Sequence, residues 1–218
     1  MMEFQELLTA DEVAALDAVG AVRQWRRGAV IYREAERTEW VVVLRSGRVK
    51  VSSDTASGTE VVLAVRGPGA LVGELSAIDR EPLSATVTAL EPVTALVVPH
   101  AEFERFLQNH GRVAYQLMRQ LSLRLRDADR KRIEFGAYDT TGRVAARLVE
   151  LAERFGAETP DGVRIGLPLS QDELAGWTGA SREAVTKALR TLRGEGWIRT
   201  GRLYVVVRDI EALRERAQ

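Results

Sequence analysis

From Val22 to Val98 the chain consists of short runs of β-branched and apolar residues punctuated by glycines, a pattern that commits this stretch to antiparallel sheet. The runs are Ala29–Tyr32, Trp40–Leu44, Arg48–Val51, Glu60–Val65, Ala85–Thr88 and Val93–Val98, and Gly28, Gly47, Gly58, Gly67 and Gly69 separate them. Branched side chains suit a pleated, half-buried surface, and glycines accept the backbone angles of tight turns. Short strands at regular spacing predict a β-sandwich or jelly-roll barrel. Ahead of them, Thr9-Ala10-Asp11-Glu12 has the form of a capping box, with Val13, Ala14 and Leu16 following, and predicts a short helix.

After Pro99 the periodicity becomes helical. Ala101–Leu107 is expected as one helix and Gly111–Phe135 as a longer one. In the longer helix Ala114, Met118, Leu121, Leu125, Ala128, Arg132 and Phe135 alternate spacings of four and three, which is a heptad seam suited to a second helix. Val113 and Leu117 lie off the seam and are expected to face the chain's own barrel. Gly136–Gly142 holds two glycines and no apolar periodicity, and reads as a hinge. Val144, Leu148 and Leu151 then mark one face of a new helix, Gly156–Gly162 a turn-rich loop, and Val163–Leu167 a short strand.

The segment Leu169–Leu189 has helix-turn-helix spacing. Ser170 can cap a first helix carrying Leu174 and Ala175, Gly179 can make the turn, and Ser181 can cap a second helix. Val185, Ala188, Leu189 and Leu192 would be the buried side of that second helix. Its outward side then carries Arg182, Glu183, Thr186 and Lys187, with Arg190 one turn on. Arginine can pair bidentately with guanine and glutamate can accept from cytosine N4. Ser170 and Ser181 can bond phosphate, and Thr186 and Lys187 can reach bases or phosphates. Gly194–Arg199 followed by Leu203–Val207 reads as a β-hairpin wing, with Arg199 and Arg202 placed to touch the DNA backbone.

The totals exclude several classes. The 218 residues contain no cysteine, which removes disulfides, cysteine-bound zinc and iron–sulfur clusters held by cysteine. Only His100 and His110 could supply imidazole; both are expected on or near a surface helix, and no metal site or catalytic residue is assigned. No nucleophile–base pair or phosphate loop supports an enzyme. No run approaches the roughly 18 apolar residues of a membrane span. The start is acidic without a basic n-region, so no signal peptide is expected and the cytoplasm is the expected location. Net charge is zero, yet from Ala180 to Arg208 seven basic residues face only Glu183 and Glu195, which favours a nucleic-acid partner. A sensor acting by protein contact, with its winged helix reused as an interaction module, is the competing reading.

Ser181–Leu189 resembles the recognition helix of the cyclic-AMP receptor and fumarate–nitrate regulator (CRP/FNR) family, and Thr141–Leu148 resembles the start of that family's DNA domain. Gly73-Glu74-Leu75-Ser76 with Ser84-Ala85-Thr86-Val87 resembles its phosphate-binding cassette. The resemblance covers nearly the whole chain. It implies an α+β protein: a sensor barrel of double-stranded β-helix (jelly-roll) type with flanking helices over 1–110, a dimerisation helix over 111–135, a hinge over 136–142 and a winged helix-turn-helix over 143–218. The implied partners are a palindromic double-stranded DNA site, a second copy of the chain and RNA polymerase, with no membrane. The implied ligand is cyclic AMP or another nucleotide. By this resemblance Glu74 bonds the ribose hydroxyl, Gly73 and Leu75 shape the cassette turn, and Ser84, beside Ala85, contacts the cyclic phosphate. Arg182, Glu183 and Lys187 match the base-reading positions, Lys187 replacing the commoner arginine.

Two departures leave the ligand open between cyclic AMP, another molecule and none. The cassette arginine is Leu83, and a charge-assisted hydrogen bond of that kind is worth roughly 1.5–3 kcal/mol, or about one to two decades of affinity. Arg80 is the nearby candidate to replace it. The adenine-reading pair on the long helix is Ala128 and Asp129; Ala128 has no group for the bond, and Asp129 can accept from an exocyclic amine.

Overall fold

A computed structural model describes residues 2–56, 58, 60–166, 170–201 and 204–217. The chain divides into two compact units, Met1–Asp54 with Leu63–Asp127, and Thr55–Val62 with Ala128–Gln218. Among the described residues no helix is long and apolar enough to cross a membrane.

The first unit opens with a 3-10 turn (Phe4–Leu7) and helix α1 (Ala10–Val19). The capping box forms as the sequence predicts: Thr9 Oγ1 accepts from the Glu12 N–H and Glu12 Oε2 accepts from the Thr9 N–H. Strands β1 (Ala21–Trp25), β2 (Val30–Tyr32), β3 (Trp40–Ser46), β4 (Val49–Asp54), β5 (Glu60–Arg66), β6 (Leu71–Val72), β7 (Thr86–Ala89) and β8 (Val93–Pro99) form two antiparallel sheets. Their orders are β1-β8-β3-β6 and β2-β7-β4-β5. Helix α2 (Glu74–Asp79) lies between β6 and β7. Val42 and Leu44 of β3 join Ile31, Tyr32, Val49, Val87 and Ala95 in one core shared by both sheets. Because side chains alternate along a strand, Val41 and Val43 face the other way, into a second core with Leu16, Phe103, Phe106, Val113 and Leu117. Burial on both faces explains why β3 reads as a continuous apolar run rather than an alternating one.

Helix α3 (His100–Asn109) is followed by α4 (Gly111–Ala137), a 27-residue rod of about 40 Å. Val113 and Leu117 are buried against the barrel, as expected of off-seam residues. On the seam, Leu121 also packs against that core, while Met118 (57% exposed) and Leu125 (65%) do not. His100 starts helix α3, but its side chain is turned inward and is only 7% exposed. Burial pushes its imidazole pKa down, towards the neutral form.

In the second unit, α5 (Thr140–Phe155) packs on α6 (Gln171–Thr178), α7 (Arg182–Gly194) and α8 (Ile210–Arg216). Val144, Leu148 and Leu151 are buried there. The expected hinge over 136–142 is shorter in the structure. Gly136 and Ala137 finish α4, Thr140–Gly142 begin α5, and only Tyr138 and Asp139 break the helix. The cause is a cap, since Asp139 Oδ1 accepts from the Gly142 N–H at 2.7 Å and lets α5 start early. The loop expected over 156–162 is also corrected. Gly156–Thr159 is strand β9, paired with β10 (Gly162–Ile165) through backbone bonds that need no side-chain periodicity. Leu167, the expected end of that strand, lies outside the described residues. The wing forms as β11 (Ile198–Gly201) and β12 (Tyr204–Val207), in a sheet ordered β11-β12-β10-β9.

Asp139 gives a first prediction. Its pairing with Arg216, then its bond from the Gly142 N–H, hold the carboxyl below the usual aspartate range. Asp139→Ala should cost about 1 kcal/mol of stability at pH 7. A carboxyl with a lowered folded pKa stabilises fully above its unfolded value and loses that contribution as pH falls through the folded one. Urea midpoints of the two proteins should therefore differ at neutral pH and converge below about pH 4.

Candidate nucleic-acid interface and sensor site

A capping box sets the start of α6: Ser170 Oγ accepts from the Glu173 N–H at 3.1 Å, and Glu173 Oε2 accepts from the Ser170 N–H at 2.9 Å. Gly179 ends the helix at φ 58°, in the left-handed region. A Cβ there would stand 2.5 Å from the Phe135 ring. Arg143 braces the same turn, donating to the Thr178 and Tyr138 carbonyls and lying over the Phe135 ring. Ser181 Oγ then accepts from the Ala184 N–H at 3.2 Å and caps α7.

The apolar stripe of α7 is buried as its spacing predicts, through Val185, Ala188, Leu189 and Leu192. The opposite face presents Arg182, Glu183, Lys187 and Arg190, all exposed, with Thr186 half-buried among them. Ser170 and Ser181 sit at the two helix N-termini beside this face. All seven residues assigned to DNA from the sequence thus belong to the N-terminus of α6 and the N-terminus and outer face of α7. The Glu183 carboxylate accepts from its own N–H and from Ser181, which holds its pKa below the usual range. Two residues of α6 that the sequence reading passed over also reach this face. Asp172 Oδ1 lies 3.6 Å from Arg182 Nε, and Thr186 Oγ1 lies 2.9 Å from Gln171 Oε1. On the wing, Arg199 pairs with Asp161 at 2.9 Å, so its charge is partly offset; Arg202 lies outside the described residues.

In the first unit, Gly73 precedes α2 at φ 85°, with the Tyr32 hydroxyl 2.7 Å from where a Cβ would stand. Glu74 is buried, and its carboxylate pairs with Arg124 of α4, which also donates to the Leu71 carbonyl at 3.2 Å. Tyr32 donates to the Trp40 carbonyl at 2.7 Å; burial, reinforced by the charge of Glu74, pushes its hydroxyl pKa well above the usual phenol range. The remaining cassette residues diverge. Leu75 and Ser84 are exposed, whereas Ala85 and Leu83 are buried, and Leu83 is part of the core between the sheets. Arg80 does not replace the missing arginine. It ends α2, is 57% exposed and pairs with Glu104 of α3. Asp129 is an exposed residue of α4 within the second unit.

Arg124 is the polar partner that the sequence reading missed. A signal existed, because Arg124 falls seven residues after Leu117 and so continues the barrel-facing stripe of α4. Among the described residues no group of three or more His, Asp or Glu is placed to hold a metal.

Comparison with known proteins gives matches along the chain. Residues 22–110 match the model of the cyclic nucleotide-binding domain, and residues 142–216 that of the Crp-like helix-turn-helix domain. A CRP-like cAMP-activated global transcriptional regulator of Mycobacterium tuberculosis is 33% identical over 192 residues, covering 88% of this chain and 86% of the relative. The cyclic AMP receptor protein of Thermus thermophilus is 32% identical, with the same coverages. Among solved structures, the c-di-GMP responsive global regulator CLP of Xanthomonas campestris superposes with a TM-score of 0.81 at 23% identity, over 92% of this chain and all of that one, a likeness of fold.

Proposed function

The chain belongs to the CRP/FNR family of transcription regulators, and from this we infer that it is a homodimer that reads a palindromic DNA site through α7 under the control of a small ligand in its barrel. The observation that carries the reading is the division of α7 into a buried apolar stripe and an outer face bearing Arg182, Glu183, Thr186, Lys187 and Arg190. Arg182 would take guanine and Glu183 cytosine N4, while Ser170 and Ser181 hold phosphate. The exposed seam residues Met118, Leu125 and Phe135 of α4 suit a second copy of the same helix. Such a protein binds rather than catalyses, acts in the cytoplasm, and has RNA polymerase as its further partner.

For the ligand, a cyclic nucleotide is the class implied by the matching domain, held at Gly73 and Glu74 with Ser84 contributing. Leu83 in the core and Arg80 on the outside leave no cassette arginine for its phosphate. A second reading, DNA binding without ligand, is favoured by the pairing of Glu74 with Arg124, which satisfies the buried carboxylate internally.

Selection from a randomised DNA pool, with and without cyclic AMP, tests both. It should return a palindrome with half-sites about 10 base pairs apart. Arg182→Ala should cost about 1–3 kcal/mol and relax one position in each half-site. Equal weakening on every sequence would refute base reading. A folded dimer that retards no DNA would favour action through protein contacts.

A further inference from the structure

We propose that Asp172 and Gln171, the first residues of α6 after its start, determine specificity by positioning Arg182 and Thr186 for base reading. The inference rests on the assignment of α7 as the reading helix. Ser170 and Glu173 close the capping box, so the turn between them is fixed, and the side chains of Gln171 and Asp172 project from it without capping duties. Both reach across to α7, one to each of two residues four apart. Residues i and i+4 lie above one another on a helix face, so the two contacts hold one continuous strip of the reading surface.

The atoms matter. Asp172 meets Arg182 at Nε, 3.6 Å away, rather than at the terminal nitrogens. The closest approach is thus at Nε, and the two terminal nitrogens are the pair that can take O6 and N7 of guanine. Thr186 has one hydroxyl proton and two acceptors in range, the Arg182 carbonyl at 2.8 Å and Gln171 Oε1 at 2.9 Å. The single proton serves one of these acceptors at a time, and in either case the Thr186 oxygen keeps lone pairs that can accept from a base amine. Ion pairs this exposed add little to folding. Their effect falls instead on binding, because a long side chain already held in its bound rotamer loses less freedom on complex formation. Asp172 also places negative charge beside a surface that meets phosphate, which opposes unspecific binding.

The test uses the full chain in competition titrations on the selected site, its single-base variants and unrelated DNA. Asp172→Ala should lose about tenfold in discrimination at the position that Arg182→Ala identifies, and nowhere else. Its affinity for unrelated DNA should be unchanged or higher, a direction that damage to the fold would not produce. Asp172→Glu should restore part of the discrimination. Gln171→Ala should flatten the position that Thr186→Val identifies. A sharp wild-type site with an unchanged profile in Asp172→Ala, or equal loss at all positions, overturns this inference alone. A wild type that selects no site overturns it together with the assignment of α7.

Discussion

Arg147→Met should destabilise the second unit by about 3–5 kcal/mol, the cost of leaving a buried charge without its partner. Arg147 is buried in α5, and its guanidinium binds Glu134 of α4 and Glu150 of its own helix. The two carboxylates are not equally exposed to the loss. Glu150 keeps Lys131 at 3.3 Å and Arg154 at 3.7 Å, whereas Glu134 is buried and Arg147 is its cation. The attraction within such a group roughly offsets the desolvation of its members, so removing the carboxylate as well should recover much of the loss. Glu134→Gln with Arg147→Met is therefore expected to be clearly more stable than Arg147→Met alone. Calorimetric unfolding of wild type, both single variants and the double variant closes the cycle. A single variant within about 1 kcal/mol of wild type would show that water reaches Glu134 and that the cluster is not sealed.

Gly179→Val should abolish DNA binding and destabilise the same unit. Left-handed backbone costs an L residue about 1–2 kcal/mol, and more for a β-branched one. The added Cβ would also stand 2.5 Å from the Phe135 ring, over which the Arg143 guanidinium lies. Relief by local movement would tilt α6 against α7, and base contacts demand the relative placement of those two helices. Gly179→Ala should show the milder form of both effects. Phe135→Ala should remove the steric part while leaving the backbone part, so the two substitutions together should be less harmful than their sum. Gel retardation on the selected site and thermal unfolding separate loss of recognition from loss of fold. Near-normal binding by Gly179→Val would mean that the turn relaxes without moving α7.

The elements that the sequence reveals are those whose periodicity and punctuation agree. The six strand runs between Ala29 and Val98, the buried stripe of α7 and the caps at Thr9, Ser170 and Ser181 are local patterns, and each is found in the structure. Strands β1, β6 and β9 were not legible, for separate reasons. The side chains of Ala21–Trp25 are largely exposed, β6 has two residues, and Gly156–Thr159 pairs through its backbone with hardly any apolar side chain. The two glycines of 136–142 read as a hinge, and the lone capping Asp139 that starts α5 leaves no periodic mark. At the sensor site, Arg80 and Arg124 show the limit of reasoning from proximity along the chain. Arg80 is three residues from Leu83 yet turns outward to Glu104, while Arg124 comes from fifty residues beyond Glu74 to meet it. Which way a side chain leaves a turn, and what a distant helix brings to it, are decided by packing.

The open apolar face of α4 has a quantitative consequence for a cell. If the proposed dimer forms through Met118, Leu125 and Phe135, the form competent for a palindrome increases as the square of total chain concentration while protomers predominate, and linearly once pairs do. Copy number then becomes an input alongside any ligand. A few-fold change in synthesis or proteolysis would shift promoter occupancy by more than its own factor, and a gene encoding such a protein would be sensitive to dosage without any change in the signal it answers.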